Sequence, residues 1–256
     1  TTLLGIISGT AATAIYGVGS QINQYYMALS TSISGVFTPQ INRIVARGEG
    51  DEQLTKLFTR VGRIQFMLLM LVLTGFVFVG EPFICAWGGE EYGAAYWIAL
   101  LLIAPVTVPL IQNIGIEIQR AKNMHQFRSK VYFCMAIGNA LVSIPLGMKF
   151  GGIGCALGTA ISMVVGNGFI MNWYYQAHIG LDMRYFWKHI LSIVPAMLPA
   201  IALGIIAVRL HTFTGYAGVV TFAVPYAAVY AVGLYLFAMD ESEKNMVRGV
   251  MRKIRR

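Results

Sequence analysis

The chain has 256 residues, of which 57% are apolar and 12% are charged, and its formal net charge at pH 7 is +8. Soluble domains carry about 25% charged residues, so this composition excludes an ordinary soluble domain and favours a protein that lies mostly in lipid. The positive charge requires no nucleic acid partner, because basic residues beside membrane segments are attracted to anionic lipid headgroups.

The first predicted membrane segment, residues 16–42, is long enough to cross a bilayer but is unusually polar. At helical spacing one stripe holds only small or polar residues: Gly17, Gln21, Gln24, Ala28, Thr31, Gly35, Thr38 and Asn42. Such a stripe faces either a neighbouring helix or a hydrated cavity, and both alternatives stay open. Two long amides one turn apart exceed what packing needs, so Gln21, Gln24 and Thr31 are candidate residues of a substrate cavity.

The segment after this span changes character. Pro39 is predicted to bend or end the helix, because proline cannot donate the backbone hydrogen bond that a helix interior requires. Gly48 and Gly50 then break the chain, and Asp51 is a suitable N-cap for the next helix. The basic and apolar residues that follow predict a short amphipathic helix on the membrane surface, ahead of the second span.

Six further apolar stretches each approach or exceed the roughly 20 residues that cross a hydrocarbon core. They are residues 61–80, 94–118, 131–148, 153–173, 190–208 and 216–239. Backbone in lipid must satisfy its own hydrogen bonds, so these stretches are predicted to be helices. Together with the first segment they predict an all-α, polytopic transmembrane bundle of about seven spans.

Basic residues alternate strictly between the connections of these spans. All of the 19 lysines and arginines except Lys149 and Arg209 lie in alternate connections or in the C-terminal tail. The connection that contains Glu90 and Glu91 has no basic residue. The positive-inside rule therefore predicts that the basic connections and the C-terminus are cytoplasmic, and the alternation supports the count of seven spans.

Three features of the later spans concern packing and charge. Small residues at four-residue intervals predict tight packing against a neighbouring helix: Gly154, Gly158, Ser162 and Gly166. Asn113 lies within the third span and is a further cavity candidate, with an interhelical hydrogen bond as the alternative. Glu117 is one turn from Arg120, so we expect an ion pair at the membrane surface rather than a role in proton coupling.

The sequence does not predict an enzyme. A membrane glycosyltransferase or ligase would gather carboxylates or histidines in a loop, where they bind a metal ion or act as a base. Glu90 and Glu91 are adjacent and have no such partners, and the three cysteines show no metal-ligand spacing. We therefore predict no catalytic residue, no metal and no cofactor.

Three stretches of the sequence resemble one known family in their order and spacing. They are AIYGVGSQINQYYMALSTSISGVFTPQINRIVARGEGDEQLTKLF, EPFICAWGGEEYGAAYWIALLLIAP and KFGGIGCALGTAIS. Together they cover roughly residues 10–170 and are similar to the second lobe of the bacterial polysaccharide flippases. These flippases are members of the multidrug/oligosaccharidyl-lipid/polysaccharide exporter superfamily.

The resemblance implies a transporter with two six-helix lobes around a central cavity, which moves by alternating access. Its substrate would be a polyprenyl-pyrophosphate-linked oligosaccharide, flipped from the inner to the outer leaflet of the bacterial cytoplasmic membrane. The product would serve surface polysaccharides such as the O-antigen of lipopolysaccharide. This chain would be the C-terminal lobe of that transporter.

The resemblance also implies partners. The N-terminal half of the same transporter would supply the cations that bind pyrophosphate, and polysaccharide assembly proteins are further candidate partners. Two alternatives stay open for the function. One is a multidrug or toxin antiporter of the same superfamily, and the other is a membrane glycan-modifying enzyme.

This interpretation divides the chain into four parts. Residues 1–15 form the tail of a preceding span and an outer loop, and residues 16–176 form the five-span core of the lobe. Residues 188–239 form two additional spans, and residues 240–256 form a basic cytoplasmic tail. Because residues 1–15 read like the last turns of a helix and a loop, we expect the chain to be the C-terminal part of a longer protein.

Cysteine labelling in intact bacteria tests the predicted topology. In a cysteine-free background, Gly48→Cys and Gly50→Cys should not react with an impermeant thiol reagent, because their connection is predicted to be cytoplasmic. Glu90→Cys should react, because its connection is predicted to lie outside. Labelling at position 48 or 50 from the outside would contradict the topology.

Overall fold

The computed structural model describes the backbone of residues 2–48 and 50–254, and the side chains of residues 9–48, 50–245, 248 and 249. Every regular element in these ranges is a helix, which confirms the all-α class. The α-helices are α1 (Thr2–Arg47), α2 (Asp51–Gly88), α3 (Ala95–Ile111), α4 (Ile114–Ala121), α5 (Gln126–Met163), α6 (Asn172–Tyr174), α7 (Met183–Leu191), α8 (Val194–Leu210), α9 (Gly215–Phe237) and α10 (Glu241–Ile254). Two π-helical segments, Val164–Met171 and Tyr175–Ile179, flank α6, and a 3₁₀ turn, Glu90–Tyr92, precedes α3.

Several helices are long and apolar enough to cross a membrane. Within the described ranges there are four of them: Asp51–Gly88, Gln126–Ile179, Met183–Leu210 and Gly215–Phe237. The pair α3 and α4, bent by 42° at their junction, would be a fifth if it forms one span. These helices are those of a multi-pass membrane protein. Helix α1, which contains the predicted first span, is not among them, so that span and the count of seven stay predictions.

The longest of these stretches folds back on itself at Gly151. Gly151 has φ 59° and ψ −136°, a conformation that glycine adopts because it has no Cβ. Ser143 Oγ lies 3.3 Å from the carbonyl oxygen of Cys155, and farther from the reversal Tyr132 donates to Asn167 Oδ1 at 3.0 Å. Residues 126–150 and 152–179 are therefore the two antiparallel arms of a helical hairpin, which we call the α5 hairpin.

The predicted small-residue ribbon lies in the second arm of this hairpin: Gly154, Gly158, Ser162 and Gly166. A Cβ on Gly154 would overlap the carbonyl of Leu146, and one on Gly166 would overlap the side chain of Met135. Ser162 is half-buried. The three glycines therefore allow the two arms to approach more closely than larger residues would.

The connections that carry the basic residues meet at one end of the bundle, which we call the basic end. Lys122 Nζ donates to Asp51 Oδ1 at 2.5 Å and to the carbonyl of Ile179 at 2.7 Å. These contacts join the start of α2, the turn after α4 and the end of the α5 hairpin. At the opposite end, the turns before α3 and before α9 line one cavity of about 560 Å³.

A buried ion pair attaches the last helices to the core at the basic end. Arg63 of α2 and Glu243 of α10 are 7% and 3% exposed. The guanidinium of Arg63 donates to both carboxylate oxygens of Glu243, at 2.9 and 3.0 Å, and to the carbonyls of Ala238 and His189. A buried charge is tolerated only with such partners, so α7, α9 and α10 are held against α2 at this point.

One local prediction about the chain after the first span was wrong, because α2 is one unbroken helix rather than a surface helix followed by a span. Pro39 does not end α1, which continues to Arg47, and a bend at Pro39 stays a prediction. Leu54, Phe58 and Val61 are buried in the core and not in the membrane surface, because α4 and α7 pack against this part of α2.

Three glycines, Gly9, Gly48 and Gly50, have positive φ near the ends of the first two helices. α1 has a non-helical residue at Gly9, with φ 82°, and continues from there without interruption through position 16. Gly50, not Asp51, precedes the first turn of α2. Gly48 and Gly50 have φ of 63° and 89°, where a side chain is strained, so exposed Gln53 is the better labelling position in this connection.

Replacing Gly158 with alanine tests the close approach of the two hairpin arms. A Cβ at Gly158 would lie 2.8 Å from the Cα of Ser143 and 2.9 Å from its nitrogen, so the arms must separate. We expect Gly158→Ala to lower the free energy of unfolding by about 1–3 kcal/mol, the usual cost of overpacking. Thermal unfolding in detergent micelles, followed by circular dichroism, measures the change.

Gly138→Ala is the matched control for this experiment. A Cβ at Gly138, in the first arm, would meet no atom within 4 Å. Alanine has the higher helix propensity, so this variant should unfold at the same temperature as the parent or at a higher one. Equal unfolding midpoints for the two variants would contradict the packing described for the hairpin.

Candidate functional site

One side of α1 is buried in the centre of the bundle. The helix packs against α2, α3, α4 and α5. The buried side chains on this side are Tyr26, Ser30, Ser34, Ile41 and Ile44. Because tyrosine and serine occur here among the apolar residues, the polar residues of α1 are not confined to the predicted stripe.

The predicted polar stripe lies on the exposed side of α1. We call its central part the amide face: Gln21, Gln24, Ala28, Thr31 and Gly35, all of them exposed. Gln21 Nε2 donates to the hydroxyl of Tyr25 at 2.8 Å, and Thr31 Oγ1 donates to the carbonyl of Ala28 at 3.1 Å, so both bonds stay within the helix. The structure thus brings Gln21, Gln24 and Thr31 together on one surface, away from the helices that hold α1.

This exposure matters because the surrounding helices are those of a membrane protein. Moving an amide from water into hydrocarbon without a compensating hydrogen bond costs about 2–7 kcal/mol. Gln21 has one partner on its own helix, and the rest of its capacity and that of Gln24 must be met elsewhere. The amide face is therefore suited to contact water, a polar ligand or another polypeptide, and it is unsuited to contact lipid tails.

Asn113, the fourth cavity candidate, lies on the other side of α1. It is half-buried, and its Nδ2 donates to Ser34 Oγ at 3.2 Å. Gln65 Nε2 of α2 lies 2.7 Å from the same Ser34 Oγ and 2.9 Å from Ser30 Oγ. We call Ser30, Ser34, Gln65 and Asn113 the serine cluster. The cluster joins α1, α2 and the junction of α3 with α4. Asn113 therefore makes an interhelical hydrogen bond, which was the alternative to a place in the cavity.

The serine cluster lies beside the bend between α3 and α4. Ser30 Oγ donates to the carbonyl of Leu110 at 2.8 Å, close to the point where α3 ends. One turn earlier along both helices, the hydroxyl of Tyr26 lies 2.7 Å from Thr107 Oγ1. The carbonyl of Leu110 also accepts the backbone N–H of Asn113, so the hydroxyl of Ser30 adds a donor from α1 at the bend.

Sequence analysis missed these buried residues, although a signal was present. Tyr26, Ser30 and Ser34 recur every four residues along α1, which places them on one face of the helix. Gln65 is a lone amide within a predicted apolar span. A polar residue of that kind commonly bonds to a neighbouring helix, and this rule would have pointed to Gln65.

The predicted ion pair near the end of the third span is confirmed. Arg120 Nη1 lies 2.8 Å from Glu117 Oε1, and the Arg120 side chain is 65% exposed. An exposed pair of this kind contributes at most about 1 kcal/mol to stability. The charge of Glu117 is therefore paired with that of Arg120 at the basic end, as the sequence predicted.

No family model, curated protein or solved structure matches this chain. The resemblance to the exporter superfamily consequently stays a prediction from the three quoted stretches. What the protein does has to be inferred from its own residues, above all from the amide face and from the charged groups at the basic end.

Replacing Ser34 with alanine tests the role of the serine cluster. Ser34 Oγ accepts hydrogen bonds from both Gln65 and Asn113. Ser34→Ala therefore removes the acceptor of Asn113 and one acceptor of Gln65, which keeps its bonds to Ser30. We expect the free energy of unfolding to fall by about 0.5–2 kcal/mol, as for interhelical hydrogen bonds in membranes. Chemical or thermal unfolding in micelles measures it.

Ser32→Ala provides the control on the same helix. Ser32 is exposed, and its hydroxyl donates to the carbonyl of Ala28 within α1. No interhelical contact is lost, so this variant should keep the parent's stability. If both alanine variants unfold alike, the serine cluster does not hold α1 in place.

Proposed function

We propose that this chain is the C-terminal lobe of a transporter that flips a polyprenyl-pyrophosphate-linked oligosaccharide from the inner to the outer leaflet. The observation that supports the proposal is the amide face, a polar surface exposed on a helix of a membrane bundle. In this proposal the face borders the hydrated path of the sugars, while the polyprenyl chain stays in the bilayer. Movement follows alternating access, in which one lobe rocks against the other.

The chemistry of the amide face favours a neutral, hydroxyl-rich substrate. A carboxamide offers two N–H donors and a carbonyl acceptor, which can replace water around sugar hydroxyls without a net charge. Residues 1–48 contain no aspartate or glutamate. A transporter of cationic drugs would place an acidic group on this surface, so the amide face supports sugar transport over drug antiport.

The serine cluster gives α1 the rigidity that such a mechanism needs. It joins the buried side of α1 to α2 and to the bend between α3 and α4. Tilting of the whole lobe would then carry the amide face with it, instead of peeling α1 away from the bundle. The opposing wall and the cations for pyrophosphate would come from the N-terminal half of the transporter.

The proposal also assigns an orientation. The basic end would lie in the cytoplasm of a bacterium, with the chain in the cytoplasmic membrane, according to the positive-inside rule. The C-terminal helix α10 would then rest at the inner surface, held by the Arg63–Glu243 pair. No catalytic residue, metal or cofactor takes part in this mechanism.

Transport by a double variant of the amide face tests the proposal. The full-length transporter, in proteoliposomes with a fluorescent polyprenyl-pyrophosphate oligosaccharide, should flip its substrate about tenfold more slowly with Gln21→Leu and Gln24→Leu, since tenfold corresponds to about 1.4 kcal/mol of lost hydrogen bonding. The fraction of label that reaches the outer leaflet is measured over time. Wild-type rates in the double variant would overturn the proposal.

Two controls sharpen this experiment. Gln40→Leu makes the same chemical change on an exposed residue of α1 that lies outside the amide face, and it should flip substrate at the parent rate. Ala28→Cys should react with a small hydrophilic thiol reagent in the membrane, and Leu141→Cys, whose parent residue is 69% exposed but lies in an apolar span, should not. An inert Ala28→Cys would show that the face is dry.

A further inference from the structure

A pocket of about 370 Å³ lies at the basic end, where α5 begins and the second hairpin arm ends. Its polar lining comes from Asn123, Gln126 and Lys130, and its rings come from Phe127, Trp173, Tyr174 and His178. None of these residues belongs to α1, so the pocket is separate from the amide face. It combines an ammonium group, two carboxamides and several rings in one concave surface.

The aromatic wall of this pocket is held in place by stacking. The rings of Phe127 and Tyr174 are stacked with centroids 4.0 Å apart and planes 15° apart, and Tyr174 stacks in turn on His178 at 5.1 Å. The hydroxyl of Tyr174 donates to the carbonyl of Met124 at 3.3 Å. Trp173 is 56% exposed beside this stack, as expected for a ring at headgroup depth.

The charge around the pocket is one-sided. No acidic residue occurs between Glu117 and Asp182 in the sequence. Two of the nearby cations are neutralised, because Arg120 pairs with Glu117 and Lys122 pairs with Asp51. Lys130 lines the pocket and has no ion-pair partner among residues 9–48 and 50–245, so its ammonium group is available to an anion.

An exposed apolar strip leads from the pocket toward the middle of the α5 hairpin. On the first arm Phe133 is 69% exposed and Ile137 is 48% exposed. On the second arm Phe169 is 69% exposed and Val165 is 48% exposed. These side chains lie about one to two turns from Lys130 and Trp173, so a polar pocket and an apolar strip follow each other along one side of the hairpin.

We propose that this pocket binds an anionic phospholipid. The phosphate accepts hydrogen bonds from Lys130 and from the carboxamides of Asn123 and Gln126, the glycerol lies against Trp173, and the acyl chains lie along the apolar strip. Basic pockets between membrane helices bind anionic headgroups in this manner. The site adds to the proposed function but does not depend on it.

Quenching of tryptophan fluorescence by brominated lipids tests this site. The full chain is placed in bilayers of phosphatidylcholine that contain either dibrominated phosphatidylglycerol or dibrominated phosphatidylcholine. We expect stronger quenching by the phosphatidylglycerol, and Trp173→Phe should remove that difference. Lys130→Gln should weaken the preference for the anionic lipid about fivefold, the contribution of one lysine near an anionic surface.

Lys149→Gln is the matched control, because Lys149 is an exposed lysine beside the Gly151 reversal at the other end of the hairpin. It should leave the preference unchanged. Both positions are exposed, so both variants should keep the parent's unfolding temperature. The proposal would be overturned if Lys130→Gln kept the parent's preference for phosphatidylglycerol, or if Lys149→Gln lost as much of it. Soluble glycerol phosphate should not abolish the preference, and if it does, the ligand is a free phosphate and not a lipid.

Discussion

The structure depends on one constraint, which is that polar groups within a bilayer must be paired inside the protein or face water. Helix α1 is not among the helices that are apolar enough to cross a membrane on their own. In the predicted topology it does cross the bilayer, and there it would meet this constraint in two ways. On its buried side, Ser30 and Ser34 accept hydrogen bonds from the side-chain amide of Gln65, and these bonds hold the helix against α2. On its exposed side, Gln21 and Gln24 are left with capacity for water or for a polar ligand. A single helix thus serves as both a packed core element and a polar surface.

This division gives the proposed transport a structural basis. A wall that exchanges hydrogen bonds with sugars must be polar, yet the helix that carries it has to move with its lobe. The serine cluster provides the attachment with neutral groups, and such hydrogen bonds contribute about 0.5–2 kcal/mol each in membranes. A hydrogen bond likewise attaches α9 to α2, because the hydroxyl of Tyr230 donates to the carbonyl of Met67 at 2.8 Å.

The charged residues at the basic end have two different roles. At the basic end, some cations are neutralised in structural contacts, as Arg63 is by the buried Glu243. Others stay available, as Lys130 does at its pocket. The first kind holds the C-terminal helices to the core, and the second kind supplies the ammonium group of the proposed phospholipid pocket.

Periodicity and composition in the sequence were enough to predict the all-α membrane class, the polar stripe of α1, the small-residue ribbon and the pair between Glu117 and Arg120. All of these depend on residues that are neighbours along one helix. They also separated the basic connections from the others, since a loop's charge is a local property.

Only the tertiary structure decided which side of each helix is covered. Helical spacing shows that Tyr26, Ser30 and Ser34 share a face, but not that α2 and α3 pack on that face while the amide face stays open. The bond between Gln65 and Ser34 spans 31 residues and the one between Arg63 and Glu243 spans 180, so no local pattern encodes them. Likewise, only the structure shows that the chain reverses at Gly151 and that residues 126–150 pack against residues 152–179.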